Sequence, residues 1–542
     1  MKKLALLLLA LAGTASALSA AEPPRLIVNI VVGSLRADDI DRYREQFGTG
    51  GFLRLEKEGL RFTECTYDYQ QTATPVSLTT FATGAQPATH GVIGLRWRDY
   101  VQNRVVGLID DAREHDPEYH NGHSAYSPRN LVAPTLGETL AAQRPGSRAV
   151  SIAMEASSAI PLGGREGWVF WMDGNSCNWT TSTYYLKSLP AWVKSYNGER
   201  PHLAFASDPW RSLLNEEKYR NRRRSDIILT AATGKRRTPL RPEEYIRRIS
   251  SIAPYRTRYD NLLYTPAGNS LVLEFARTAV TQLEMGKREA PDLLNICLDA
   301  SRAISEAYGP ESIEAEDMLC RLDRDLAEFI DFLQAQVAPG QLLVLLTSDH
   351  GTSPSYDLCD EEAERFNARQ FEVIVNGFLS ARYGAGQWVL EYEDKNLYLN
   401  HNLIYEHKLA LADVQNETAA FALQFRGISH ALSATALRSA GFGSGYARKM
   451  QNGYYPRRSG DVVINLMPGW IEEHPARRSA SGSMYRYDTH VPLLFYGGAV
   501  APGSVARPID MTSVAPTLAR LLRIEAPAAS EGPVLEEVVA NR

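Results

Sequence analysis

The stretch Leu342-Leu343-Val344-Leu345-Leu346-Thr347-Ser348-Asp349-His350-Gly351 decides the fold. Its apolar run, Leu342 to Leu346, reads as a strand buried on both faces, the pattern of a parallel strand between two helical layers. The strand delivers a carboxylate and an imidazole side by side at its C-terminal end, where open α/β sheets place their ligands. Asp and Gly are also ordinary turn residues after a strand, so the meaning of Asp349 and His350 depends on what else converges on them.

Working outward, the same unit recurs. Leu26-Ile27-Val28-Asn29-Ile30-Val31-Val32 is a β-branched run closed by Gly33, Ala149 to Ala153 is a second, and Asp292 to Leu298 is a third that ends in Asp299. Helical patterns alternate with them over Asp38 to Glu58, Pro75 to Ala82, Ser270 to Gly286, Glu314 to Gln336 and Asp510 to Leu522. Strands alternating with helices predict an α/β fold, a three-layer α/β/α sandwich with a largely parallel central sheet. The amphipathic stretches between Ser353 and Gly453 read as outer-layer helices. From Trp168 to about Asn269 the chain carries an insertion, aromatic at Trp171, Trp179, Tyr184 and Tyr185, and we expect a cap over about 170–268.

The 542 residues are 44 % hydrophobic and 22 % charged, ample for a large core, and residues 22–542 are read as one domain with that insertion. A net charge of −5 gives no polyanion-binding signal for the whole molecule. Locally, Lys218 to Arg248 is strongly basic, with Arg222-Arg223-Arg224 and Lys235-Arg236-Arg237. That suffices for an anionic partner, although no specific nucleic-acid motif accompanies it. The polar loop from Glu114 to His123 has His and Glu spacings that suit no regular metal-ligand face, and reads as solvated.

Met1-Lys2-Lys3, the apolar run Leu4 to Ala12 and the small residues around Ala17 to Ala21 have the plan of a secretory signal peptide, residues 1–21. The expectation is export to the periplasm or beyond. No later run approaches the ~20 apolar residues that span a bilayer, so no transmembrane segment is expected. The five cysteines, Cys65, Cys177, Cys297, Cys320 and Cys359, match no metal or redox spacing and read mostly as buried thiols.

Further motifs lie in order along the chain: Thr72-Ala73-Thr74-Pro75, Thr83-Gly84-Ala85-Gln86-Pro87-Ala88-Thr89-His90-Gly91, Leu298-Asp299, Thr347 to Gly351, and Tyr487-Asp488-Thr489-His490-Val491-Pro492. In order and distance they resemble the alkaline phosphatase superfamily, in its phosphatase and type I phosphodiesterase/nucleotide pyrophosphatase branch. The resemblance covers nearly all of the chain after the signal peptide. It implies an alkaline-phosphatase-like fold, a Thr nucleophile at Thr74, and two zinc sites at the strand ends. Thr74 also stands before Pro75, where a Thr can cap a helix without any chemistry.

Carried over residue by residue, the first zinc would be held at Asp299, Ala303 and Ser481, and the second at Gly33, Thr74, Asp349 and His350. Ala303, Ser481 and Gly33 offer no ligand of the usual kind. The positions that contact phosphate in the phosphatase branch are Leu95, Met154 and Ala156, where an Asn, a Lys and an Arg are implied. A useful zinc site needs at least three good protein donors. Two zincs are therefore not expected, and one zinc at Thr74, Asp349 and His350 is the most that the donors allow, with Asp299 a remnant. Arg302, beside Ala303, could bring a fixed positive charge to the emptied first site, and Ser34 or Asp38 could partly replace the carboxylate missing at Gly33. These losses point to a catalytically impaired member acting in binding or as a scaffold. The alternative is a working phosphate or sulfate ester hydrolase, or phosphodiesterase, using Thr74 with a single zinc.

Overall fold

The computed structural model describes residues 22–118, 125–207, 210–221, 258–356, 364–474, 477–498 and 500–539. Residues 1–21, where a signal peptide is expected, the basic stretch from Arg222 onward, and His120, His123 and Cys359 lie outside them.

Seven strands build most of the central sheet: β1 (Leu26–Val32), β2 (Leu60–Thr66), β3 (Ala149–Ala153), β4 (Trp168–Met172), β5 (Asp292–Leu298), β6 (Leu342–Thr347) and β7 (His490–Gly497). Their order is β2-β7-β6-β1-β5-β3-β4, with Gly503–Val505 and Ile509–Asp510 on β2 and Trp179–Thr180 on β4 completing ten strands. The run β6-β1-β5-β3-β4 is parallel, and β7 is antiparallel to both neighbours. The sheet is thus mixed and largely parallel, as the buried apolar runs predict. All residues of β1, β3, β5 and β6 are buried, because helices cover both faces and pack two separate apolar layers against them. One polar pair breaks this pattern: Asn29 Nδ2 donates to Asn295 Oδ1 at 2.8 Å inside the sheet.

Register fixes the site. Val31 pairs with Thr347 on one side and Cys297 on the other, and Ala153 pairs with Cys297. The C-terminal ends of β6, β1, β5 and β3 therefore come level, and they present Asp349, Gly33, Asp299 and Met154 along one rim.

The region after Ser353 differs from the expectation of outer-layer helices alone. Helices Ala368–Tyr383 and Leu411–Ala422 are present, but they cover a four-stranded antiparallel sheet of Val389–Glu393, Asn396–Leu399, Val462–Leu466 and Ile428–Ser433, with its own core around Phe371 and Trp388. The hairpin between its first two strands turns on Asp394 and Lys395, both at positive φ (48° and 65°). Such turns usually carry Asn-Gly or Asp-Gly, so this one leaves no mark in the sequence.

After β1 the chain turns through Ser34, at a left-handed φ of 58°, into the short helix Asp39–Arg42. Buried Asp39 accepts from the Arg36 backbone N–H at 3.0 Å through Oδ2, while its Oδ1 has no partner among the described residues. Burial pushes its carboxyl up to about 7, against the opposing pull of Arg36. An unfolded Asp titrates near ~3.9, so the folded chain holds a proton that the unfolded chain releases between these values. Asp39 therefore contributes stability below about pH 4 that is lost as pH rises towards 7. Asp39→Asn should remove this slope, so the stability gained over the parent by denaturant unfolding should grow from pH 4 to pH 7. A difference independent of pH would contradict the assignment.

Candidate active site

Helix α1 (Thr74–Thr83) starts with Thr74 already in its first turn, Pro75 beside it and Gly84 closing it at φ 71°. The capping position belongs to Ala73, and no side chain caps the helix. The Thr74 hydroxyl is turned elsewhere. It donates to Asp349 Oδ2 at 2.7 Å and lies 3.1 Å from His350 Nε2. His350 Nε2 is in turn 3.2 Å from Asp349 Oδ2 and 3.3 Å from Ser481 Oγ.

Each member is held from behind. Asp349 Oδ1 accepts the backbone N–H groups of Ser34 at 2.9 Å and of His350 at 2.8 Å. His350 Nδ1 is 2.6 Å from the Gly351 carbonyl, so Nδ1 carries the proton and Nε2 turns its lone pair towards Thr74. The Ser348 hydroxyl donates to the Val32 carbonyl at 2.7 Å and binds the end of β6 to the end of β1. Arg36 reaches across from the turn after β1: its guanidinium donates to the carbonyls of Thr352 and Ser353 at 3.1 and 3.2 Å and pairs with buried Glu311 at 3.0 Å.

Asp299, at the end of β5, stands apart from this group. Its carboxylate accepts the Ser158 hydroxyl at 2.6 Å and the Glu155 backbone N–H at 3.0 Å, serving as the N-terminal cap that α2 (Ala156–Gly163) lacks from its own residues. Burial first, then the Glu155 charge, push its carboxyl up to about 7. Beside it, Ala303 is buried with no donor to offer. Asp38 is exposed and caps no ligand position, whereas Ser34 contributes its backbone N–H to Asp349.

Leu95, Met154 and Ala156 share one open pocket of about 430 Å³, whose wall also carries Trp171 and Tyr259 and the charged Arg96, Asp110, Glu155 and Asp173. Leu95 is 43 % exposed there. The loop after Glu114 is not simply solvated: Asp116 is buried and takes the Thr180 hydroxyl, while Glu114 accepts from Thr183 at 2.7 Å. Cys65, Cys177, Cys297 and Cys320 are all buried. Among the described residues no helix is long and apolar enough to cross a membrane.

A family profile for type I phosphodiesterases/nucleotide pyrophosphatases matches residues 27–482. The chain belongs to this family. It is 29 % identical over 523 residues to the alkaline phosphatase PafA of Elizabethkingia meningoseptica, covering 96 % of this chain and 95 % of that one. To the alkaline phosphatase PhoV of Synechococcus elongatus it is 28 % identical, covering 95 % and 93 %. The crystal structure of wild-type PafA superimposes with a TM-score of 0.86 at 27 % identity, covering 96 % of this chain and all of that one.

These relatives are phosphoric ester hydrolases, and the similarity runs nearly end to end with nothing in it that indicates impaired catalysis. The expectation of a catalytically impaired scaffold is thereby overturned. It counted absent side chains one by one, whereas Thr74, Asp349 and His350 form a closed triangle at the sheet rim.

Enzymes of this family are metal-dependent, and the donors allow a direct test of fit. At the β5 end Ala303 offers no donor, and both oxygens of Asp299, like those of Asp349, already accept hydrogen bonds. Among the described residues no three His, Cys, Asp or Glu side chains converge as a metal site. The hydroxyl, carboxylate and imidazole of Thr74, Asp349 and His350 do fit one ion: separations of 2.7 to 3.2 Å suit three corners of a tetrahedral shell.

Neither Arg36 nor Glu311 carries a sequence signal, since their separation of 275 residues fits no motif. Arg36→Met would strand the buried Glu311 carboxylate, and breaking such a pair costs about 3–5 kcal/mol. Stability measured by urea unfolding should fall by that order, and Arg36→Met with Glu311→Gln should recover much of it. A loss below ~1 kcal/mol in the single variant would deny the clamp its role.

Proposed function

We propose that the protein is a phosphoric ester hydrolase in which Thr74 is the nucleophile, working with one zinc at Thr74, Asp349 and His350. The observation that carries this reading is the Thr74 hydroxyl, drawn out of a helix-capping role to 2.7 Å from Asp349 and 3.1 Å from His350. A zinc held there would lower the pKa of the Thr74 hydroxyl and supply a strong nucleophile at neutral pH.

The chain's own residues do the rest. Asp349 Oδ2 accepts the hydroxyl proton and so orients the Thr74 oxygen and receives its proton when it attacks. The Gly351 carbonyl fixes the His350 tautomer, which keeps Nε2 a donor of its lone pair throughout. The positive end of the α1 dipole lies beside Thr74 and favours negative charge on its oxygen. Attack of Thr74 Oγ1 on phosphorus expels the ester alcohol and leaves a phosphoryl-threonine ester. Water then cleaves that ester and restores Thr74.

The pocket of about 430 Å³ points to the substrate class. A phosphomonoester brings a dianion with three free oxygens, and Leu95, Met154 and Ala156 cannot donate to any of them. A phosphodiester brings one negative charge and a second organic group, which these residues with Trp171 and Tyr259 can cover. We therefore favour phosphodiesters over phosphomonoesters. We further propose that residues 22–542 act as one domain, that the insertion expected at about 170–268 forms a cap only beyond Trp179–Thr180, which with β4 belongs to the central sheet, and that the chain is exported with residues 1–21 removed.

Zinc-loaded protein should hydrolyse bis(p-nitrophenyl) phosphate with a higher kcat/KM than p-nitrophenyl phosphate, and chelation should abolish both activities. Thr74→Ala should lose ~10³-fold or more of kcat, with Thr74→Ser retaining much of it. Undiminished turnover in Thr74→Ala would refute the reading.

A further inference from the structure

The Ser481 hydroxyl lies 3.3 Å from His350 Nε2, and the Thr74 hydroxyl lies 3.1 Å from the same nitrogen. The two oxygens flank one lone pair, since Nδ1 of that ring carries the proton and faces the Gly351 carbonyl. Thr74 already gives its proton to Asp349 Oδ2. That leaves Ser481 as the hydroxyl that donates to Nε2.

Ser481 is held by the same segments that hold Thr74. Before it, the Ala480 N–H donates to the Ser353 hydroxyl at 3.1 Å and the Ala480 carbonyl accepts the Ser353 N–H at 3.0 Å. The Ser353 carbonyl is in turn held by Arg36. After it, Ser483 donates its N–H at 2.8 Å and its hydroxyl at 2.5 Å to Asp488 Oδ2. The Ser483 carbonyl accepts the hydroxyl of Thr72, two residues before Thr74, at 3.0 Å, and the Asp488 carbonyl accepts the Gly351 N–H at 2.7 Å. Between these anchors Gly482 takes a left-handed φ of 98°, and a side chain there would bring its Cβ within 2.8 Å of the Lys395 ammonium nitrogen. Only glycine lets the chain turn at this point.

The contact so firmly placed is itself weak. At 3.3 Å it is longer than a good hydrogen bond, and it is the one partner of this half-buried hydroxyl among the described residues. With the Nε2 lone pair given to an ion, the Ser481 O–H has no acceptor left, beside the oxygen that attacks. We propose that Ser481 is a catalytic residue, donating a hydrogen bond from its hydroxyl to a non-bridging phosphoryl oxygen of the ester held against Thr74. The inference rests on the hydrolase reading above and deepens it. A hydroxyl places one donor on that oxygen without adding a charge, which suits a phosphodiester monoanion better than a phosphomonoester dianion.

The test compares the full zinc-loaded protein with its Ser481→Ala, Ser481→Thr and Thr74→Ala variants. It measures inorganic phosphate binding by calorimetry, zinc per chain, and turnover of methyl p-nitrophenyl phosphate and of its two phosphorothioate isomers, in which sulfur replaces one non-bridging oxygen. Ser481→Ala should weaken phosphate binding and lower kcat/KM by ~10-fold or more each, with zinc per chain unchanged. Ser481→Thr keeps the hydroxyl and should recover most of both. Sulfur is a poor acceptor, so with one isomer the parent should lose more rate than Ser481→Ala does, a ratio that a purely structural serine would not move. Phosphate affinity in Ser481→Ala within twofold of the parent, equal sulfur effects for both isomers in the two proteins, or a parent that binds no phosphate would overturn the proposal. Zinc lost from Ser481→Ala would overturn it too, by making Ser481 a metal ligand. Turnover kept in Thr74→Ala would refute that nucleophile, while phosphate binding by the Ser481 variants still decides the donor.

Discussion

The site depends on what the Asp349 carboxylate gathers. One oxygen takes the backbone N–H of Ser34, at the turn after β1, and that of His350; the other takes the Thr74 hydroxyl from the start of α1. Three segments far apart in sequence meet on one buried acid. Such a group is costly to bury unless every lone pair is used, and here the cost is offset by donors that are themselves the parts to be positioned. Ser34 accepts a left-handed φ of 58° to point its N–H at this acid, a strain of about 1 kcal/mol held in place by the Arg36–Glu311 clamp behind it.

The distribution of charge along the rim follows from this arrangement. At the β6 end, Asp349 and His350 face Thr74 and leave one set of donors for a single ion. At the β5 end, Asp299 has become a helix cap, and Arg302 crosses above it to Glu155. Met154 and Ala156 sit where the family resemblance implies a cationic pair, and Glu155 between them pairs with Arg302.

Much of the fold was legible because buried parallel strands write continuous apolar runs, and β1, β3, β5 and β6 do so. The four-stranded sheet after residue 388 was not, since its strands are four to six residues long and its tight turn uses Asp394 and Lys395 in place of a glycine. Thr74, Asp349 and His350 could be picked out by motif, yet only the fold reveals that Ala73 takes the capping position of α1 and leaves the Thr74 hydroxyl to Asp349 and His350. Arg302 was visible as a charge beside Ala303. Its pairing with Glu155, 147 residues away in the chain, was not. Contacts such as Arg36 with Glu311 leave no spacing signal, since they are made by the fold.

The most direct test of the account is to look for the covalent intermediate. Zinc-loaded protein mixed with bis(p-nitrophenyl) phosphate and quenched in acid within one turnover should carry one nitrophenyl phosphoryl group, placed by peptide mass spectrometry on Thr74. The adduct should be absent from Thr74→Ala. An adduct on another residue, or multiple turnovers with none formed, would contradict a Thr74 nucleophile.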